Sequence, residues 1–341
     1  FSSLNLPIAL HKVGNKSNEE GYFLSDGLLQ VDEDISELLR GYFISSFKFD
    51  TLYEFYHETQ LSLNEVYNYV SQIFETPEQL HEQSRSLAKY LYQCSDHPKI
   101  KSGELYVVYF EQFDFKGDTY PAVGLFKSEQ KDVFIKVKPI NDHFELDKHE
   151  GVNINKLDKG AVIIKGAAEE LQVAIVDTAN KSTEAQYWID EFLKVQQAQN
   201  EFFHTNHTMA MYKEFVMQDL PQQFEVSKAD QADFLNRSMN YFKENDSFEM
   251  EHFEQEVLAQ PEIIDRFVQY KSQYENQYEV QIEQQFDISD AALKKQSRAY
   301  KSVIKLDKNF HIYIHGDRSM IEQGVDEAGR KYYKIFYDVE Q

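Results

Sequence analysis

The stretch ELYVVYFEQFDFKGDTYPAVGLFKSEQKDVFIKVK, residues 104–138, decides the fold class. Val, Tyr, Phe and Ile dominate it, and these residues suit a pleated, buried surface better than a helix. Glu104–Phe115, Tyr120–Lys127 and Lys131–Lys138 read as strands, with Lys116-Gly117-Asp118 as the hairpin turn between the first two. Two further apolar runs, Ala161–Ile164 and Val173–Val176, extend the sheet.

Toward the N-terminus, Pro7–Val13 and Tyr22–Leu24 read as a hairpin around a polar turn. Ile35, Leu38, Leu39, Tyr42 and Phe43 then recur at spacings of three and four, as one buried helix face requires. Asn64–Phe74 and Pro77–Tyr92 repeat that pattern, and Pro77 suits a first helical position. Beyond the sheet, Thr183 with Gln186 forms a capping box that opens a helix through Tyr187, Trp188, Ile189, Phe192 and Leu193.

Past about residue 196 the chain becomes helical and acidic. Ser227 with Asp230, and Asp246 with Glu249, are helix-start signals. Pro261 starts a helix buried through Ile263, Ile264, Phe267 and Val268. A helix over about 290–304 follows, and the strands Phe310–Ile314 and Tyr332–Phe336 flank the turn Asp326–Gly329. The expected fold is α+β. Residues 1–195 form a domain with a mainly antiparallel sheet and helices. Residues 196–341 form a helix-rich acidic domain with a basic helix and a terminal β-hairpin.

The 22 Tyr and 26 Phe argue for packed cores and against disorder. A single cysteine, Cys94, excludes an internal disulfide and a multi-cysteine metal cluster, and reads as a small buried hydrophobe near a helix end. No apolar run approaches the ~20 residues of a membrane span. The opening FSSLNLPIALHKVG lacks the basic region and apolar core of a signal peptide, so a reducing, cytoplasmic setting is expected.

Net charge is −23, and it is segregated. Residues 1–150 carry 14 basic and 25 acidic side chains, 151–195 carry 5 and 7, and 196–290 carry 6 and 19. Only 291–341 is positive, with 10 against 7. The mean field therefore repels polyanions, and any contact with phosphate must be local.

Catalytic signatures are weak. His204 and His207 make an HxxH pair without the glutamate of a zinc-protease helix. His311 and His315 would stand ~13 Å apart on a strand, too far to share an ion. Asp317 and Glu322 could be imagined around magnesium in a nuclease, but nothing fixes their geometry. GxxxxGK[ST], GxGxxG and GxSxG are all absent, so no cofactor is expected.

One segment stands out. On a helix, Lys294, Arg298, Lys301 and Lys305 fall within ~60° of arc, with Ala292, Leu293, Ala299, Tyr300, Val303 and Ile304 on the other side. Such a stripe could contact DNA phosphates weakly and without sequence preference; the bland reading is a solvated face answering the protein's own acids. Glu244, Asp246, Glu249, Glu251, Glu254 and Glu256 supply the opposite possibility. They could be an acidic surface, or a DNA mimic, for a basic DNA-processing protein, although for Glu249, Glu251, Glu254 and Glu256 a solvated helix surface is the simplest reading. The aromatic content is also compatible with a homodimer interface.

Four segments give the chain a resemblance to a known family. They are Ile8–Lys12 leading to Leu24–Leu29; Asn155–Gly160; Asn180–Trp188 with Phe192-Leu193; and the strands Phe310–His315 and Tyr332–Phe336. In order and spacing the chain resembles the bacterial nucleoid-associated proteins of the NdpA type. That resemblance implies a cytoplasmic, nucleoid-associated protein that is not an enzyme, acting on DNA directly or through a protein already there. It also implies a Lys/Arg/Gly-rich approach to the Tyr187–Leu193 helix. Here Asp177–Thr183 carries one lysine, which shifts the expected DNA contact to the 294–305 stripe.

Overall fold

The computed structural model describes residues 6–178, 187–300, 303–307, 309–313 and 318–339. The chain divides into two compact units, one ending at Ala198 and the other beginning at Gln199. The fold is α+β, with a large antiparallel sheet in the first unit and mostly helices in the second.

The first unit begins with β1 (Ile8–Val13) and β2 (Tyr22–Leu24), then α1 (Glu33–Ile44) and β3 (Tyr53–Phe55). The helices α2 (Glu65–Glu75) and α3 (Leu80–Cys94) follow. Next come the long strands β4 (Gly103–Phe115) and β5 (Asp118–Ser128), then β6 (Asp132–Ile140) and β7 (His143–Gly151). The unit closes with β8 (Lys159–Lys165), β9 (Leu171–Asp177), a π-helical turn over Tyr187–Leu193, and β10 (Val195–Gln197).

Eight strands form one antiparallel sheet in the order β10-β3-β9-β8-β5-β4-β1-β2. Lys116 and Gly117 both have positive φ, as the tight turn between β4 and β5 requires. One face of the sheet, with Leu105, Val107, Val123, Leu125 and Ile163, packs on α2 and α3 through Val70, Ile73, Leu87 and Leu91. The other, with Val108, Phe110, Phe126 and Val162, packs on Tyr42 and Phe43 of α1. Burial on both faces explains why these strands are apolar throughout rather than alternating.

Two expectations change here. Ile35 and Leu38 of α1 are exposed, because only the end of that helix reaches the sheet. The strand expected at 131–138 does not join the sheet. Instead β6 pairs only with β7, which the sequence reading missed, in a separate two-stranded ribbon.

The second unit contains α4 (Glu201–Glu214), α5 (Leu220–Gln223), α6 (Lys228–Glu244), β11 (Ser247–Glu249), α7 (Met250–Phe253), α8 (Pro261–Tyr278) and β12 (Gln285–Asp287). After these come α9 (Asp290–Ser297), β13 (Val303–Leu306), β14 (Phe310–Tyr313), β15 (Ile321–Val325) and β16 (Lys331–Ile335). Tyr212, Phe215, Phe242, Phe248, Phe253 and Phe267 form an aromatic core.

Ser227 and Asp230 make a reciprocal capping box on α6. No helix starts at Asp246, however. Ser247–Glu249 pairs with Gln285–Asp287 as extended chain, and α7 begins only at Met250. On α8, Ile263 and Phe267 are buried while Val268 is exposed. Phe310–Tyr313 pairs with Val303–Leu306, and the hairpin closed by Asp326–Gly329 joins Ile321–Val325 to Lys331–Ile335. Both hairpins pack on Ala229 of α6 through Ile304, Leu306, Ile312, Ile321 and Tyr333.

Candidate functional site

The net-positive segment does not form one basic helix. α9 opens at Ser289, whose side chain accepts from Ala292 N, and it ends at Ser297 with Arg298 as C-cap. Lys294 and Lys295 occupy its last turn, where cations complement the helix dipole. The stop has a packing cause. Tyr300 is buried, and its hydroxyl donates to Met209 O at 2.5 Å, which draws the chain into the unit's core. The β-branched pair Val303 and Ile304 then runs as strand rather than helix.

The expected helix over 290–304 is therefore short, and Lys294, Arg298 and Lys305 do not share one helix face. Lys294 and Arg298 stay one turn apart and exposed. Lys305 stands on β13 opposite His311, exposed, while Ile304 beside it faces inward. Lys301 lies outside the described residues. Among the described residues, Lys294, Arg298 and Lys305 have no acidic partner at ion-pair distance.

Sequence reasoning missed the exposed aromatics of the same C-terminal segment. Tyr313, Tyr332 and Phe336 are exposed on the same pair of hairpins. The Lys334 ammonium lies 4.6 Å from the Phe336 ring centre and 3.8 Å from Glu322. Interleaved cations and aromatic faces can hold phosphates and stack bases together. The signal was present as Lys331-Tyr332-Tyr333-Lys334, two tyrosines flanked by lysines on one strand.

Glu244, Asp246, Glu249, Glu251 and Glu256 are exposed around β11 and α7, and Glu254 is half-buried. His252 Nε2 sits 3.2 Å from Glu256. Burial raises the Glu254 carboxyl's pKa, with Lys271 opposing and Glu251 adding to the shift. Glu244 ends α6, Glu249 ends β11, Glu251 lies on α7, and Glu254 and Glu256 lie on the π-helical turn Glu254–Leu258, so the acids spread over several short elements.

His204 and His207 are engaged in packing. His204 is buried and stacks on Phe286 at 5.5 Å, while His207 packs on Phe203 at 4.4 Å. Burial lowers the His207 pKa. Among the described residues no three His, Cys, Asp or Glu side chains converge as metal ligands. His315 and Asp317 lie outside the described residues. Cys94 is buried at the end of α3, its Sγ 3.6 Å from Glu191 O, and burial pushes its thiol up to about 11.

Two buried polar networks in the first unit were not anticipated. Lys127 at the end of β5 and Lys159 at the start of β8 alternate with core residues, so their stems enter the core. Both side chains are closed to solvent. Lys127 Nζ donates to Lys101 O at 2.7 Å, Tyr187 Oη at 2.9 Å and Glu129 Oε1 at 3.0 Å. Tyr187 in turn donates to Glu129 Oε1 at 2.8 Å, and Lys159 pairs with Asp177 at 2.8 Å. Burial lowers the Lys127 pKa and raises that of Tyr187. These residue types could move protons. All three donors of the Lys127 ammonium are nevertheless committed, which makes the network a clamp holding the Tyr187–Leu193 turn to the sheet.

The second network centres on His11. Its Nδ1 accepts from Ser25 N at 3.2 Å, so Nε2–H donates to Ser84 Oγ at 2.8 Å. The Ser84 hydroxyl in turn donates to His81 O at 2.7 Å. A cleft of about 390 Å³ lined by Leu10, Phe23, Leu28 and Leu29 opens beside it. Ser25 Oγ lies 3.5 Å from His11 Nδ1 and 3.4 Å from His81 Nε2, and its shortest contact is the hydrogen bond it donates to Gly27 O at 3.0 Å.

Fold and surfaces together define a class: an α+β protein whose charge is segregated along the chain, with hydrogen-bonded polar networks buried at Lys127 and His11. Within that class the chain belongs to the nucleoid-associated protein family, since the family model described as nucleoid-associated protein YejK matches residues 9–340. Searches of curated proteins and of solved structures each return no match. Three of the segments behind the sequence resemblance meet in the two networks: Ile8–Lys12 with Leu24–Leu29 at His11, and Asn155–Gly160 with Tyr187-Trp188 at Lys159. Among the described residues no helix is long and apolar enough to cross a membrane.

Proposed function

We propose that this is a non-enzymatic accessory protein of the bacterial nucleoid, located in the cytoplasm, that binds DNA weakly and without sequence preference through its C-terminal segment. Lys294, Arg298 and Lys305 contact phosphates, joined by Lys301, and the acidic body stays turned away. One observation carries this reading. In a chain of net charge −23, the only positive segment holds Lys294, Arg298 and Lys305 exposed and, among the described residues, without acidic partners. Family membership supports the location.

Three to four phosphate contacts give a log–log salt slope of ~−2.7 to ~−3.6, which is weak for a monomer and favours a homodimer. Fluorescence anisotropy of labelled DNA across a salt series tests the reading. Binding should weaken with salt and disappear in Lys294→Glu/Arg298→Glu/Lys305→Glu. Salt-independent binding, or binding kept by the triple variant, would refute it.

The alternative is an acidic module, or DNA mimic, that occupies the basic groove of a DNA-processing protein. It is favoured by the exposure of Glu244, Asp246, Glu249, Glu251 and Glu256, with Glu254 beside them. Charge reversal at those positions should abolish capture of such a partner. Unchanged capture would remove this alternative.

A further inference from the structure

The β6–β7 ribbon alternates strictly in register, so its two faces have different chemistry. One face carries Phe134 stacked on His149, with Lys136 opposite Asp147 and Lys138 opposite Glu145. The Lys138 ammonium lies 2.7 Å from Asp147, so this face is polar and paired within the ribbon. The other face brings together Val133, Ile135, Val137, Pro139, Phe144 and Leu146. Ile135 is 63% exposed, Leu146 66% and Phe144 71%. An isolated two-stranded hairpin is marginal in water at best, and nothing in the ribbon's own unit covers its apolar face.

We propose that this face is the interface of a homodimer, covered by the same face of a second copy. The interface deepens the functional reading above, but it stands on the ribbon's geometry and not on DNA binding. Its area is sufficient: roughly 600 Å² of apolar surface per copy gives ~1,200 Å² for the pair, where specific protein interfaces begin.

Charge selects the occupant. The only ionic groups on the apolar face are Lys148 and Glu150, of opposite sign and both near its root. A face with no net charge cannot select an oppositely charged partner, and it lacks the cationic rim of a membrane-binding surface. It is compatible with itself under two-fold symmetry, where residue i of one copy meets residue j of the other and j meets i, with Val137, in the middle of the face, set beside its own equivalent at the axis. The root of the ribbon is fixed for such a role. Asp158 accepts from Glu129 N at 2.7 Å and Gln130 N at 2.9 Å, Asn153 holds Asp132 at 2.7 Å, and Lys131 pairs with Glu104.

Sedimentation equilibrium of the full chain between ~1 and ~100 µM decides the matter, a range that brackets the affinity of a modest interface. Wild type should sediment as two copies of the 40.2 kDa chain. Val137→Lys and Val137→Glu should each be monomeric, with unchanged circular dichroism because the side chain is exposed. Their equimolar mixture should recover the dimer, as opposite charges now meet across the two-fold. A wild-type monomer throughout the range, a dimer indifferent to both substitutions, or co-sedimentation of the monomeric wild type with neutral lipid vesicles would overturn the proposal. Failure of DNA binding in an intact dimer would count against the functional reading alone.

Discussion

The Lys127 ammonium lies 2.9 Å from the Tyr187 hydroxyl in a site closed to solvent, and both bond to the same oxygen of Glu129. A strand end is thereby tied to the π-helical turn that carries Trp188 and Phe192 into the core. Removing one charge of such a set leaves the other buried and uncompensated. Lys127→Met should cost ~3–5 kcal/mol, whereas Lys127→Met/Glu129→Gln should cost clearly less than its two single changes together. Urea unfolding followed by Trp188 fluorescence, the chain's one tryptophan, measures this. Additive losses would mean the two groups are not energetically coupled.

Acid should loosen the first unit through His11. Burial, with His81 and Arg85 nearby, pushes its pKa down to about 4 from 6.5. The native ring stays neutral while the unfolded chain takes up a proton, so the unfolded state binds more protons between those values. Stability is therefore full above pH 6.5 and falls as pH drops toward 4, by about 3 kcal/mol if His11 acts alone. His11→Asn should flatten the slope of stability against pH in that window. An unchanged slope, again read from Trp188, would assign the effect to other groups.

Cys94 should resist thiol reagents in the native protein. Its Sγ is buried, and a thiol pushed up to about 11 holds almost no thiolate at pH 8. Labelling by a disulfide reagent should be slow and should accelerate sharply in denaturing urea. Rapid labelling of the native chain would mean that the end of α3 opens readily.

The central sheet was legible because β4, β5, β8 and β9 are buried on both faces, and their apolar runs are long enough to exclude other readings. Lys127 and Lys159 were not, although each sits in phase with core residues. A lysine at a strand end is usually solvated, and only the return of Tyr187 from sixty residues away closes the site over Lys127. The basic helix failed for a related reason. Periodicity placed Tyr300 and Ile304 on one apolar helix face, yet Tyr300 is anchored on α4 and Ile304 on Ala229 of α6. Local spacing could not distinguish one helix from a helix followed by a strand, both buried on the same side.

Separate roles for cations and rings on the C-terminal hairpins give the last prediction. If Lys305 meets a phosphate, Lys305→Ala should lower the salt slope of DNA binding by about 0.9. If Tyr313 and Tyr332 stack on bases, replacing either with Ala should weaken single-stranded DNA binding by ~1–3 kcal/mol. The aromatic changes should leave the salt slope intact and leave duplex binding nearly unaffected, since duplex bases are already stacked. Anisotropy with single-stranded and duplex oligonucleotides over the same salt series gives slope and intercept together. Equal losses for both forms in the Tyr variants would mean the rings support the hairpins rather than touch bases. That outcome would leave the contact purely electrostatic, with Lys294, Arg298 and Lys305 as its whole described basis.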